Sequence, residues 1–169
     1  MYLRCRFKSS VRHESEQNEV SRSICRGYMA NLISIVDDDP KSLKLMRDLC
    51  QASGYKTLEA TDGEQGIELA RLRKPDIILM DIQMPKMNGI EAFRILKADP
   101  DTSNIRVIAL TSFAMQGDEE MIREVGFDAY LSKPVDIHVL LETVKKCLSG
   151  AGGITENRIE YSREESATW

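Results

Sequence analysis

The sequence has 169 residues, of which 42% are hydrophobic and 30% are charged, and its formal net charge at pH 7 is −4. This composition is typical of one folded globular domain with some chain to spare, and it argues against a wholly disordered chain. The negative charge disfavours nucleic acid as a direct partner, no stretch reaches the roughly 18 apolar residues of a membrane span, and cysteines without CxxC pairing favour free thiols in a reducing cytoplasm.

The middle of the chain alternates between short apolar runs and amphipathic helical patterns. Residues 1–30 and 149–169 are polar and lack periodic apolar faces, so we expect a flexible tail at each end of a domain formed by residues 31–148. The runs predict five strands, at Leu32–Val36, Lys56–Ala60, Ile77–Met80, Val107–Leu110 and Ala129–Leu131. Helices are predicted at Pro40–Ala52, Gly63–Leu72, Gly89–Ala98, Gly117–Val125 and Asp136–Leu148.

This alternation predicts an α/β domain with a doubly wound, five-stranded parallel sheet and helices on both faces. Continuous apolar runs suit strands that are buried on both sides of such a sheet. Right-handed crossover connections restrict the strand order to a few possibilities. In sheets of this kind functional groups gather outside the carboxyl ends of the strands, so that edge is where a site is expected.

Carboxylates, a hydroxyl and a lysine follow four of the predicted strands. They are Asp37, Asp38 and Asp39 after the first strand, Asp81 after the third, Thr111 after the fourth and Lys133 after the fifth. Carboxylates gathered at one edge repel each other unless a cation lies among them, and oxygen ligands of this kind suit Mg²⁺. A lysine and a hydroxyl can contact phosphoryl oxygens, and aspartate can accept a phosphoryl group as an acyl phosphate. The pattern therefore predicts Mg²⁺-assisted phosphoryl transfer onto a carboxylate.

Over roughly residues 31–148 the chain resembles the receiver domain of two-component response regulators. Four segments carry the resemblance: the acidic pair Asp37–Asp38, the stretch from Asp76 through Asp81 and Pro85 to Gly89, the stretch Ala109–Ser112, and the stretch from Tyr130 to Lys133 and Pro134. Their order and their places on the predicted elements make the match specific. Residues 112–120 and 130–134 are similar to single-domain regulators and to receivers attached to hybrid kinases. The resemblance implies the flavodoxin-like strand order 2-1-3-4-5.

The resemblance also implies a role for each site residue. It implies a Mg²⁺ site at Asp37, Asp38, Asp81 and the backbone carbonyl of Gln83, phosphoryl contacts from Thr111 and Lys133, and an aromatic switch at Tyr130. Asp81 would accept the phosphoryl group from a histidine kinase or a histidine phosphotransfer protein. Output would pass to a downstream protein through the fourth helix, fifth strand and fifth helix. Such a domain would catalyse only its own phosphorylation and dephosphorylation, and it is not otherwise expected to be an enzyme.

Simpler interpretations stand beside these roles. Asp39 is interpreted as a helix cap, and Asn88 with Gly89 as a turn and helix start without a chemical role. Tyr130 could be a core residue, and Thr111 could cap a turn. Two other functions remain open: an aspartate-nucleophile phosphatase of the haloacid dehalogenase type, and a binding module that needs no phosphorylation.

Overall fold

The computed structural model describes residues 30–112 and 116–150, and of residues 116–120 the backbone alone. The chain divides between Asn31 and Leu32 into two units, and the second contains all of the described strands and helices. The tails predicted at residues 1–30 and 149–169 fall almost wholly outside the described residues, so their flexibility stays a prediction. None of the described helices has the length and apolar composition to cross a bilayer.

The described part of the chain forms a parallel five-stranded sheet with the order β2-β1-β3-β4-β5, as expected. The strands are β1 (Leu32–Val36), β2 (Lys56–Ala60), β3 (Ile77–Asp81), β4 (Arg106–Thr111) and β5 (Ala129–Ser132). The helices are α1 (Pro40–Ala52), α2 (Gly63–Arg73), α3 (Gly89–Ala98), α4 (Gln116–Val125) and α5 (Ile137–Leu148). The predicted α/β class and the strand order implied by the resemblance are both confirmed.

Each face of the sheet carries its own apolar core, because successive side chains of a strand point to opposite faces. In β1, Ile33 and Ile35 pack with buried residues of α1 and α5. Val36 packs on the other face with buried residues of α2 and α3. The central strand β3 is buried along its whole length, which explains why it reads as an unbroken apolar run. The paired cores hold the strands' carboxyl ends side by side.

Helix starts are fixed by capping side chains close to the carboxyl edge of the sheet. Asp39 accepts hydrogen bonds from the amides of Lys41 and Ser42, which confirms its interpretation as a cap. Asn88 forms a reciprocal capping box with Glu91 at the start of α3. These caps fix where α1 and α3 begin, and the loops that join the two helices to β1 and β3 lie at this edge of the sheet.

Candidate functional site

The predicted site residues gather at the carboxyl edge of the sheet. Asp37 follows β1 directly, Asp81 is the last residue of β3, and Thr111 is the last residue of β4. β3 lies between β1 and β4 in the sheet, so these three strand ends are neighbours. Lys133 follows β5, and its amide donates to the carbonyl of Thr111 at 2.7 Å, which continues the β4–β5 pairing beyond the last strand residue.

One ammonium group joins the two buried carboxylates of this edge. Lys133 Nζ donates to Asp37 Oδ2 at 2.7 Å and to Asp81 Oδ2 at 2.6 Å. The Asp37 side chain is fully buried and that of Asp81 is 5% exposed. Both carboxylates therefore depend on protein groups, rather than on bulk water, for their hydrogen bonds. The sequence did not predict this arrangement, because the resemblance implied only a contact between Lys133 and a phosphoryl group.

Backbone amides hold the remaining oxygen of each carboxylate. The amide of Asp39 donates to Asp37 Oδ1 at 2.9 Å, and the amide of Gln83 donates to Asp81 Oδ1 at 3.0 Å. Each buried carboxylate therefore has one backbone donor and a share of the Lys133 ammonium. Such bonds fix the orientation of both groups before any ligand arrives.

The electrostatics of the pair leave negative charge in excess. Burial raises the pKa of the Asp37 carboxyl, although the Lys133 ammonium and the Asp39 amide act to lower it. Burial alone would lower the pKa of Lys133, but Asp37 and Asp81 together outweigh it, and the net pKa is raised. The lysine therefore stays charged, yet one ammonium does not compensate the cost of burying Asp37 as an anion.

The donor set at this edge fits Mg²⁺. Carboxylate oxygens of Asp37, Asp38 and Asp81 lie within 4.8 Å of one another, with Asp38 exposed and the other two buried. Oxygen-only ligands with uncompensated negative charge and one face open to water are what this hard, hydrated cation requires. Gln83 is brought to Asp81 by its amide, and its carbonyl as a further ligand remains a prediction.

Thr111 and Tyr130 lie on the same face of the sheet. Ala109 of β4 pairs with Tyr130 of β5, and Thr111 lies two residues further along β4. Thr111 is buried, and the Tyr130 ring is buried in the apolar core on the α2–α3 side. The structure therefore places Tyr130 in the core in this state, and its role as an aromatic switch remains a prediction.

Gly89 has a structural role at the site beyond the helix start that its sequence predicts. Its amide donates to the carbonyl of Ile82 at 3.0 Å. A Cβ at this position would collide with the carbonyl oxygen of Asp81 and would lie 2.9 Å from Ile82 Cα. The start of α3 therefore packs directly on the backbone of the proposed phosphoacceptor. The Asn-Gly pair signalled a helix start, but this contact is tertiary and has no local signature.

We expect Gly89→Ala to lower the free energy of unfolding by about 1–3 kcal/mol or more, because the added methyl group forces the backbone at Asp81 to move. Urea denaturation of both proteins measures the change. Gly54→Ala is the matched control, since a Cβ there meets nothing within 4 Å and the substitution is strained only through φ, +86°. An equal or smaller loss in Gly89→Ala would contradict the close approach.

The chain is similar in sequence to known proteins of one family. The family model of the response regulator receiver domain matches residues 33–145. The polar-differentiation response regulator DivK of Brucella anthropi is 46% identical over 123 residues, which cover 73% of this chain and 100% of the relative.

Two solved structures share the fold. The signal receiver domain of a histidine kinase from Syntrophus aciditrophicus is 33% identical with a TM-score of 0.67, covering 83% of this chain and 98% of that one. The receiver domain of a sensor histidine kinase from Pseudomonas aeruginosa PAO1 is 29% identical with a TM-score of 0.67, covering 72% and 99%, and has a magnesium ion coordinated in its active-site cleft. These matches support the receiver interpretation, and none of them supports the phosphatase alternative. The chain therefore belongs to the response regulator receiver domain family, the signalling domains of two-component systems.

Proposed function

We propose that this chain accepts a phosphoryl group on Asp81 from a phosphohistidine of a histidine kinase or a histidine phosphotransfer protein. The observation that carries the proposal is the Lys133 ammonium, which joins the buried carboxylates of Asp37 and Asp81 beside the exposed Asp38. We take residues 31–148 as the phosphoacceptor domain, and the family match over residues 33–145 supports these bounds.

In the proposed transfer, a carboxylate oxygen of Asp81 bonds to phosphorus while the bond from phosphorus to the donor imidazole breaks. The released imidazole takes up a proton, and Asp81 becomes an acyl phosphate. The Gln83 amide orients the Asp81 carboxylate before the reaction. Lys133 would exchange its bond to Asp81 for one to a phosphoryl oxygen, and the Thr111 hydroxyl would contact another. Mg²⁺ bound by Asp37, Asp38, Asp81 and the Gln83 carbonyl would supply positive charge for these oxygens.

Phosphotransfer profiling tests the donor. The full chain would be mixed, in the presence of Mg²⁺, with phosphorylated histidine kinases and histidine phosphotransfer proteins of its source organism. Fast, preferential loss of phosphohistidine from one of them to this chain is the expected result. If none transfers to the chain while a control receiver is labelled by its own partner, the proposed phosphorelay role is wrong.

We expect Asp38→Asn to raise the dissociation constant of Mg²⁺ at least about tenfold, since even the loss of an outer-shell partner costs 10–100-fold. Magnetic resonance titration of the full chain measures the constant. Asp39→Asn removes the same charge one residue away, and asparagine also caps helices well, so this control should bind Mg²⁺ nearly as the unaltered chain does. Equal affinity in Asp38→Asn would mean that the metal site is placed wrongly.

We infer that output passes through the surface of α4, β5 and α5 to a downstream protein, with Thr111 and Tyr130 linking it to Asp81. A phosphoryl group that draws the Thr111 hydroxyl would free space beside Tyr130 on the same face of the sheet. A few kcal/mol of differential binding suffices to shift such an equilibrium.

Thr111→Ala should therefore still accept a phosphoryl group on Asp81 but lose most of the phosphorylation-dependent change in partner affinity, which is about 5- to 150-fold for a coupling of 1–3 kcal/mol. Titration of the downstream partner with and without a phosphoryl mimic such as beryllofluoride measures the loss. Thr143→Ala, a buried threonine of α5 whose hydroxyl donates within its own helix, is the control. A full affinity change in Thr111→Ala would refute this route.

A further inference from the structure

The segment that follows Asp81 lies mostly on the surface, yet it must hold the Gln83 amide against the Asp81 carboxylate. Residues 82–88 connect β3 to α3, and within them Gln83, Pro85, Lys86 and Asn88 are exposed. Met84 is buried, and Met87 is half-buried against the core between α2 and the sheet. Ile82, next to Asp81, also packs against this core, so the two methionines are the side chains that anchor the part of the segment beyond Gln83.

Met87 packs against a glycine of another element. A Cβ on Gly63, the first residue of α2, would lie 3.0 Å from Met87 Cγ, 3.1 Å from its Sδ and 3.2 Å from its carbonyl oxygen. These are distances at which real Cβ atoms are rarely found, so the missing side chain of Gly63 is what allows Met87 to approach. The α2 helix is itself fixed at this end, because Asp62 caps it through the amide of Gln65.

The backbone around Met87 is bent tightly enough to need an anchor. Lys86 has a φ of +69°, in the left-handed region that a lysine rarely adopts. The Met87 amide donates to the carbonyl of Pro85 at 2.9 Å, which closes a turn of three residues. A non-glycine residue in this conformation persists only where its surroundings hold it, and the next residue, Met87, packs its side chain against the core.

We propose that Met87, packed against Gly63, is a positioning residue for the Asp81 site. It fastens the far end of the segment whose near end presents the Gln83 amide to Asp81 Oδ1. It touches neither the carboxylates nor a phosphoryl group, and it acts through the orientation of Gln83. This inference deepens the proposed function, and its Mg²⁺ readout rests on that function, whereas its structural readout does not.

The test uses the isotopically labelled full chain with two measurements by magnetic resonance: the hydrogen-exchange rate of the Gln83 amide, and the dissociation constant of Mg²⁺. Met87→Ala removes the side chain that packs against Gly63, and Gly63→Ala places a methyl group in the space that this side chain occupies. Each should speed exchange at Gln83 and raise the Mg²⁺ dissociation constant by about tenfold, the scale of an outer-shell loss. Met87→Leu keeps an apolar side chain of similar size and should stay close to the unaltered chain.

The double variant and a packing control separate positioning from stability. In the protein carrying both Gly63→Ala and Met87→Ala, two of the three atoms nearest to the new methyl group, Met87 Cγ and Sδ, are gone, so the combined effect should be smaller than the product of the single effects. Leu69→Ala removes a half-buried side chain from the same helix and the same core. It should lower the melting temperature while leaving Gln83 exchange and Mg²⁺ affinity unchanged.

Two results would overturn the inference: a Met87→Ala protein whose Gln83 exchange and Mg²⁺ affinity stay within about twofold of the unaltered chain, or a Leu69→Ala protein that changes both as strongly. If the unaltered chain bound no Mg²⁺, the proposed metal site would fail on its own. The Gln83 exchange rates would then still decide the role of Met87.

Discussion

An Asp81→Asn protein should fold and yet take up no phosphoryl group. The amide side chain has no carboxylate oxygen to form an acyl phosphate, so labelling by a small donor such as phosphoramidate should fall to background. The fold should survive because Lys133 keeps its bond to Asp37, and an asparagine oxygen can still accept from the Gln83 amide. Intact mass measured after incubation with donor and Mg²⁺ reports the added group directly.

The control for this experiment removes a carboxylate at the same edge of the sheet. Asp62 caps α2 after β2 and is placed outside the proposed acceptor site, and asparagine caps a helix equally well. Asp62→Asn should therefore label as the unaltered chain does. Undiminished labelling of Asp81→Asn would refute the acceptor assignment.

The second large effect concerns Lys133. Lys133→Met should leave the buried carboxylates of Asp37 and Asp81 without their shared cation, and breaking a buried pair in this way costs about 3–5 kcal/mol of stability. Urea denaturation in the absence of Mg²⁺ measures the loss. Lys74→Met is the control, because Lys74 pairs with Asp101 at an exposed position and such pairs contribute about 1 kcal/mol or less.

The loss should depend on pH in a definite direction. Burial already raises the pKa of Asp37 above its ordinary value of 3.8, and removing Lys133 removes a group that lowers it, so the folded-state pKa rises further. A carboxyl whose pKa is higher in the folded state binds a proton that the unfolded chain has released, and stability therefore falls as pH rises above the unfolded value. Lys133→Met should be closer to the unaltered chain at about pH 4.5 than at about pH 7.

Mg²⁺ should restore part of the stability of Lys133→Met, because the cation can neutralise the same carboxylates and binds only the folded chain. The gain from adding Mg²⁺ should be larger in Lys133→Met than in the unaltered chain. A Lys133→Met protein as stable as the unaltered chain at about pH 7 without Mg²⁺ would contradict the bridging role of the lysine.

The apolar pattern predicted the strands and helices well, but it predicted less well where the strands that carry the site end. Strand prediction stopped at Met80 and Leu110, where the apolar runs stop, whereas β3 and β4 continue to Asp81 and Thr111. Parallel pairing depends on backbone groups, so a polar side chain can occupy the last paired position. Asp81 and Thr111 are therefore held by the sheet itself, whereas Asp37 and Lys133 lie one residue beyond it.

Contacts between distant parts of the chain were beyond the sequence. The strand-end rule brought Asp37, Asp81 and Lys133 to one edge, but it could not show that one ammonium bonds both carboxylates. Nor could it show that Gly89 packs on the Asp81 backbone, because the collision depends on how α3 docks on the sheet. Tyr130 carries two interpretations from its sequence alone, and a buried ring in one state is compatible with both of them.

Chemical mapping on the unaltered full chain shows whether Asp81 is the phosphoacceptor. After labelling with phosphoramidate and Mg²⁺, borohydride reduces an aspartyl phosphate to homoserine, and peptide mass spectrometry locates the converted residue. We expect homoserine at position 81 and no conversion at Asp37 or Asp38. Conversion at another aspartate, or a phosphoryl group found on a serine, threonine or histidine with position 81 unchanged, would contradict it.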